Sequence, residues 1–333
     1  MSLGRNCLCR VCLVGVVLLT LAKPCSSQEP TRKDPSTREQ TQFAPGVVTV
    51  IPPAPKPEET FDGPMTLQSL LEAHPEIQFG GDSHPDGTPH FDPRSRTLVE
   101  MAKQVILRRE IYCLEFSFKP LRHIYLDIPR ADGRMQRKLV WYMVYRVRYR
   151  GGDLRPAADT VAGVKIYKRL ESIHYDSRYF FPTFVLSDHL TGQRFVDQIL
   201  PTAREKIKIR EQIDAPLHNS IEITRVKIPY SSDNAAAGVW GVATWTDVDP
   251  NLDFVSVEVY GLTNAYEHEG EGPDAPYRRK ALRVNVYRPG DTVQQADDEI
   301  RFGVPAYESE KEQNYILQQY GLDERLDYQW MFR

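Results

Sequence analysis

The chain has 333 residues, of which 41% are hydrophobic and 26% charged, and carries a formal net charge of -3. That length is ample for an ordinary buried core. The slightly acidic balance argues against nucleic acid as the main partner, which favours a strongly basic face.

Arg5 and Arg10 precede an uncharged, mostly apolar run from Val11 to Ala22, and Cys25-Ser26-Ser27 supplies small side chains at the minus-three and minus-one places of a signal-peptidase site. Residues 1–27 are therefore expected to be a signal peptide cleaved after Ser27, with the mature protein secreted or periplasmic. Lys23 and Pro24 stop the apolar run short of the roughly 20 residues a spanning helix needs, so no transmembrane segment is expected after signal removal. Ala22-Lys23-Pro24-Cys25 makes a poor lipoprotein box. Cys7, Cys9, Cys12 and Cys25 leave with the signal, and the single remaining Cys113 excludes an internal disulfide. Cys113 sits in the alternating run Tyr112–Phe116, where a buried small apolar residue is expected rather than a nucleophile. The absence of any Asn-x-Ser/Thr sequon is compatible with a bacterial envelope protein.

Gln28–Thr60, with seven prolines, is expected to be a disordered Pro-rich tether, because it has too little apolar surface to offset its ordering entropy. Within it, Gly46–Ile51 is apolar enough to dock as a short strand. Residues 61–110 form the expected helical lead-in packed on the sheet. One helix is capped by Thr66 and runs to Ala73; a second is capped by Ser95 and places Leu98, Met101, Ala102, Val105 and Ile106 on one face.

From Ile111 the hydrophobic period changes to 2, which begins the expected body, residues 111–333. Tyr112, Leu114, Phe116 and Phe118 alternate, and Leu139, Trp141, Met143, Tyr145, Val147 and Tyr149 share one strand face. The opposite face, Val140 to Arg148, begins apolar and ends charged, as if its far end reached solvent. Further strands are expected at 179–186, 194–200, 221–228, 238–246, 254–262 and 281–287. The segment Thr202–Ile213 fits either a helix or an edge strand. Ser309–Tyr320 reads as a helix closed by Gly321, and Tyr328–Phe332 as a docked final strand. Turns such as Asp132-Gly133 and Thr191-Gly192, without βαβ alternation, predict a mainly β fold: an antiparallel β-sandwich with a few decorating helices.

Charge is uneven. Residues 130–169 carry eleven Lys and Arg against three Asp, while the stretch between Lys227 and Arg278 holds nine acids and no basic residue. Two solvated faces are the plain reading; an anionic polymer along the basic stretch is the sharper one.

The spacing closest to a metal site is Asp247, Asp249, Asn251, Asp253 and Glu258. Their oxygens occupy places 1, 3, 5, 7 and 12 of an EF-type calcium loop, but Leu252 replaces its glycine and strands flank it. A hairpin turn is the competing reading. Asp82, His84, Asp86, His90 and Asp92 could ligate zinc, yet lie in a Gly/Pro-broken loop without helical spacing. Elbow, zincin, phosphate-loop and dinucleotide motifs are all missing. Trp141, Tyr142, Tyr145 and Tyr149 suggest a sugar-stacking platform, but alternation assigns three of the four to the core.

Trp141–Val147, the stretch from Val239 through Tyr266, and Arg288-Pro289-Gly290-Asp291 together resemble a group of secreted proteins from planctomycete-type bacteria. The resemblance covers about residues 95–333 and implies secretion; it carries no activity, cofactor or catalytic residue. The reading that follows is a non-catalytic structural or binding module of the cell envelope whose partner is an envelope polymer or protein. A hydrolase of an envelope polymer and a calcium-stabilised adhesion module are the alternatives.

Overall fold

The protein is described by a computed structural model that covers residues 48–64, 106–161, 164–269, 276–289 and 299–333. In chain order the first strands are β1 (Thr49–Ile51), β2 (Phe61–Pro64), β3 (Ile106–Arg108), β4 (Glu115–Phe118), β5 (Arg122–Pro129) and β6 (Met135–Arg148). A second hairpin, β7 (Asp153–Val161) and β8 (Val164–Ile173), precedes the short strands β9 (Ser177–Arg178), β10 (Thr183–Ser187) and β11 (Arg194–Val196). Helix α1 (Pro201–Arg210) is followed by β12 (Leu217–His218), β13 (Ile228–Pro229), β14 (Val239–Trp245), β15 (Phe254–Tyr260), β16 (Tyr266–His268) and β17 (Tyr277–Tyr287). The chain closes with β18 (Arg301–Phe302), α2 (Glu310–Tyr320) and β19 (Tyr328–Phe332).

Two sheets form the sandwich. One runs β1-β4-β6-β14-β12, with β5 beside the first half of β6; the other runs β11-β10-β15-β17-β16, and β17 also pairs with β18 and β19. Pairing within them is antiparallel except for the two-residue β12–β14 contact. The alternation in β6 explains the layering. Trp141, Met143, Tyr145 and Val147 point between the sheets, against Val255, Val257 and Val259 of β15 and Leu282, Val284 and Val286 of β17. Val140, Tyr142 and Val144 point the other way and are covered by Ala203 and Ile207 of α1. On the far sheet, Ile316, Leu317 and Tyr320 of α2 pack with Val304 and Phe254. Each sheet is therefore covered on both faces, which is why β6, β14 and β15 read as long apolar runs. Gly241 makes the central packing possible: a Cβ there would stand 2.3 Å from Tyr145 Cζ.

The helix ends follow their local chemistry. Ser309 Oγ accepts from Glu312 N at 3.5 Å, and Gly321 takes the left-handed conformation (φ 61°) that closes α2. Thr202–Ile213 resolves as helix α1, started by Pro201, with Ala203 and Ile207 on the buried side. Among the described residues no helix is long and apolar enough to cross a membrane.

Several expectations need correction. Of the run 221–228, Ile228 alone enters a strand, β13; Glu222–Arg225 forms a 3-10 turn, because Asn219 Oδ1 accepts from the Ile221 and Glu222 amides at 2.9 and 2.8 Å. The charged end of β6 does not reach solvent. Arg146 and Arg148 are buried, Arg148 lying opposite Glu115 and bonding it, whereas Met135–Arg137 at the start of the strand is exposed. The expected tether does not extend to residue 60. β1 pairs with β4, and the buried Glu59 meets Lys280, whose Nζ also donates to Ala54 O at 2.9 Å. The lead-in helices at 66–73 and 95–105 lie outside the described residues, while Ile106, assigned to the second helix, begins β3, which pairs with β2.

Candidate functional site

Most buried carboxylates are committed to cations. Glu211, at the end of α1, accepts from Lys119 Nζ and Arg122 Nη1, both at 3.1 Å, and from the Tyr142 hydroxyl at 2.7 Å. Lys119 is only 1% exposed, and burial drives its ammonium below the ordinary lysine range. Asp153 accepts from Tyr149 Oη at 2.6 Å and from Arg178, which also bonds Glu110. These networks anchor loops to sheets and leave little chemistry exposed.

The expected calcium ligands separate. Asp247 pairs with Lys138 at 2.8 Å, which holds its carboxyl below the usual range. Asp249 Oδ1 accepts from the Asn251 amide at 2.8 Å, forming an Asx turn. Asp253 bonds Arg288 at 2.7 Å. Glu258, fully buried on β15, accepts from Arg194 Nη2 at 2.6 Å, from Tyr260 Oη at 3.0 Å and from Arg333. The spacing fails as a loop because β15 begins at Phe254 and carries Glu258 into the sheet. Among the described residues, no group of three or more His, Cys, Asp or Glu side chains converges as a metal set. Asp82, His84, Asp86, His90 and Asp92 lie outside the described residues.

Trp141, Tyr142, Tyr145 and Tyr149 are all core residues, at 1% exposure or less. Cys113 is buried and unpaired by disulfide, and burial pushes its thiol up to about 12. Aromatic disulfide reagents at pH 8 should therefore leave Cys113 unmodified in the folded protein and label it fully in denaturant; fast labelling of the native chain would contradict this burial.

His189 is a second titrating group held by burial, next to Arg283 and Arg333. Burial first, and then these cations, push its imidazole down to about 4. The unfolded state binds this proton nearer pH 6.5, so stability from the neutral ring is fully present above about pH 6.5 and is lost as pH falls toward 4. His189→Gln should remove roughly 3 kcal/mol of the acid-side loss, seen as the difference between the variant and parent stability curves from pH 7 to 4. Parallel curves would contradict the assignment.

One site that gathers polar groups around open space lies at the start of α1, in a cavity of about 120 Å³. Asp197, Ser220, Glu222, Arg204, Leu200 and Thr244 contribute to its wall. Each is fixed from behind. Asp197 exchanges bonds with Phe184 of β10, donating through its amide to Phe184 O at 2.9 Å and accepting from Phe184 N at Oδ1, 3.3 Å away. Its other oxygen accepts from Ser220 Oγ. Arg204 on α1 donates to both oxygens of Glu222 at 2.7 and 2.9 Å, and Glu222 Oε2 accepts from Asn219 N at 3.3 Å. Thr244 donates to Gln198 O, and the Gln198 amide returns a 2.7 Å bond to Thr244 O, tying the entrance of α1 to β14.

Burial raises the Asp197 pKa against the opposing Ser220 bond. Burial would raise Glu222 too, but the Asn219 amide and Arg204 override it and hold Glu222 below the ordinary range. Two carboxyls with pKa values driven apart is the pattern of an acid–base pair. Here, however, Arg204 engages both Glu222 oxygens, so the carboxylate stands as a fixed acceptor rather than a free base. The wall carries two carboxyls against one arginine. It therefore suits a neutral or cationic hydrogen-bonding group and repels an anion.

Sequence reasoning passed over Asp197, Ser220 and Glu222. The signal was present in Asn219-x-x-Glu222, whose two side chains each bond the other's backbone amide in the manner of a capping box. Reading 221–228 as a strand concealed it. Comparison with known protein families, curated proteins and solved structures gives no match to this chain.

Proposed function

We propose that this chain is a secreted, non-catalytic binding module of the bacterial cell envelope, in keeping with its leader-like N-terminus and its resemblance to secreted planctomycete-type proteins. In this reading the cavity at the start of α1 holds a hydroxyl- or amine-bearing group of an envelope polymer. The observation that carries the reading is the cavity's pre-ordered wall: Asp197, Ser220, Arg204 and Glu222 are locked by one another and by β10 before any ligand arrives. Such preorganisation lowers the entropic cost of binding. Titration of soluble envelope-polysaccharide fragments, followed by the amide resonances of Ser220, Asn219 and Thr244, should shift those signals. Asp197→Ala should abolish the shifts while the remaining spectrum stays folded; unmoved cavity resonances would refute the assignment.

The hydrolase alternative has one observation in its favour, the opposed pKa shifts of Asp197 and Glu222. It requires Arg204 to release Glu222, and polymer cleavage lost on Glu222→Gln would establish it.

A further inference from the structure

The fully buried carboxylates of this fold carry their own counter-ions: Glu59 bonds Lys280, Glu115 bonds Arg148, Asp153 bonds Arg178, Glu211 bonds Lys119 and Glu258 bonds Arg194. Asp188 has no such cation, but its oxygens accept from the Leu190 amide and the Thr191 hydroxyl of its own turn. Asp197 differs from all of these. It is half-buried in the wall of the cavity at the start of α1, and its carboxylate bonds no lysine, arginine or histidine among the described residues.

Its bonds come from neutral donors. Oδ2 accepts from Ser220 Oγ and Oδ1 from Phe184 N at 3.3 Å, which uses one acceptor position on each oxygen and leaves the charge unmatched. Another neutral donor nearby goes unused: the Tyr145 ring lies 4.6 Å from that of Phe184, and its fully buried hydroxyl has no hydrogen-bond partner. The charge of Asp197 adds to burial in raising the pKa of that hydroxyl. Arg204 is spent on both oxygens of Glu222, so that pair is balanced. The wall is left with one net negative charge, centred on Asp197.

A partly desolvated carboxylate gains most from a cationic donor, because charge-assisted hydrogen bonds are about twice as strong as neutral ones. The kind of cation follows from what else lines the space. A hard metal ion needs several oxygen ligands, and no metal set converges among the described residues. A quaternary ammonium calls for aromatic faces, and the described lining holds no aromatic ring. A guanidinium fork needs a free position on each oxygen at once, whereas a compact ammonium needs only one. Leu200, Ala203 and Val242 supply an apolar side for the carbon that bears it. The volume, about 120 Å³, is well below the roughly 300 to 1,000 Å³ of sites that enclose a drug-sized ligand, so one terminal group enters and the polymer stays outside. We propose, resting on the reading of this cavity as the module's binding site, that it is a primary-ammonium site in which Asp197 is the counter-ion.

The test follows the amide resonances of Ser220, Asn219 and Thr244 in the full chain during titration at matched ionic strength. The probes are propylammonium, 1-propanol, propylguanidinium and tetramethylammonium. Propylammonium should shift all three signals and bind about tenfold or more tighter than 1-propanol, with the other two cations weaker than propylammonium. Asp197→Asn should erase the preference over 1-propanol with the melting temperature preserved. Glu222→Gln leaves the Arg204 charge uncompensated and should weaken propylammonium even with Asp197 intact. D-glucosamine and Nα-acetyl-lysine distinguish the two sources of such a group, an amino sugar and a diamino-acid side chain. At least one should displace propylammonium, and N-acetylglucosamine should not; displacement by neither overturns the assignment. Equal responses to propylammonium and 1-propanol, or a preference retained in folded Asp197→Asn, overturn it while leaving the cavity a binding site. No response to any probe or to envelope-polysaccharide fragments overturns the binding reading itself.

Discussion

Glu211→Ala should lower the unfolding free energy by about 3 to 5 kcal/mol. The change removes the anion from a cluster in which Lys119 and the Tyr142 hydroxyl are buried and Arg122 is partly covered. Lys119 is then left charged in a low-dielectric site, or must give up its proton, and either outcome penalises the folded state. The direction of its pKa shift shows that burial already opposes the ammonium even with Glu211 in place. Replacing both partners, Glu211→Leu with Lys119→Met, should recover much of the loss, because the cost lies in stranding one charge rather than in losing the pair. By contrast, the exposed Lys138–Asp247 pair should contribute less than about 1 kcal/mol. Urea unfolding of the three variants, Glu211→Ala, Glu211→Leu/Lys119→Met and Asp247→Ala, checks the set; a Glu211→Ala loss as small as that of Asp247→Ala would contradict it.

Trp141→Ala should cost about 3 to 5 kcal/mol without specifically removing binding to any glycan. The indole lies between the sheets at 1% exposure, edge-on to the His123 ring at 4.1 Å, and its deletion leaves a cavity that rigid neighbours on β6 and β14 cannot fill. Thermal and denaturant unfolding would show the loss directly. A variant of parental stability that had lost a ligand would return Trp141 to the list of binding residues.

The parts of this fold legible in the sequence are those where one side-chain period dominates. The rows Trp141–Tyr149 and Phe254–Tyr260, and the Ser309 and Gly321 caps, correspond to β6, β15 and α2. What escaped was set by long-range partners. Arg148 reads as a solvent-facing residue until Glu115 is placed opposite it, and Glu59 reads as part of a tether until Lys280 is brought within bonding distance. Hairpin β7–β8 also went unseen, since Asp153–Ile173 mixes charge with small residues and shows no clean alternation. The candidate cavity joins residues from 197 to 244 through a turn whose capping residues are polar and short in sequence. Local periodicity has no access to such a convergence. The metal-like spacing at Asp247 failed for the opposite reason: a regular sequence interval was divided between a turn and a strand, which directs its oxygens to different cations.

The central claim, binding without turnover, is tested most directly by mass spectrometry of soluble envelope-polysaccharide fragments after prolonged incubation with the full chain. The account predicts that the polymer is retained by the protein and keeps its full chain length. Shortened products that disappear with Glu222→Gln would contradict it and make the cavity an active site.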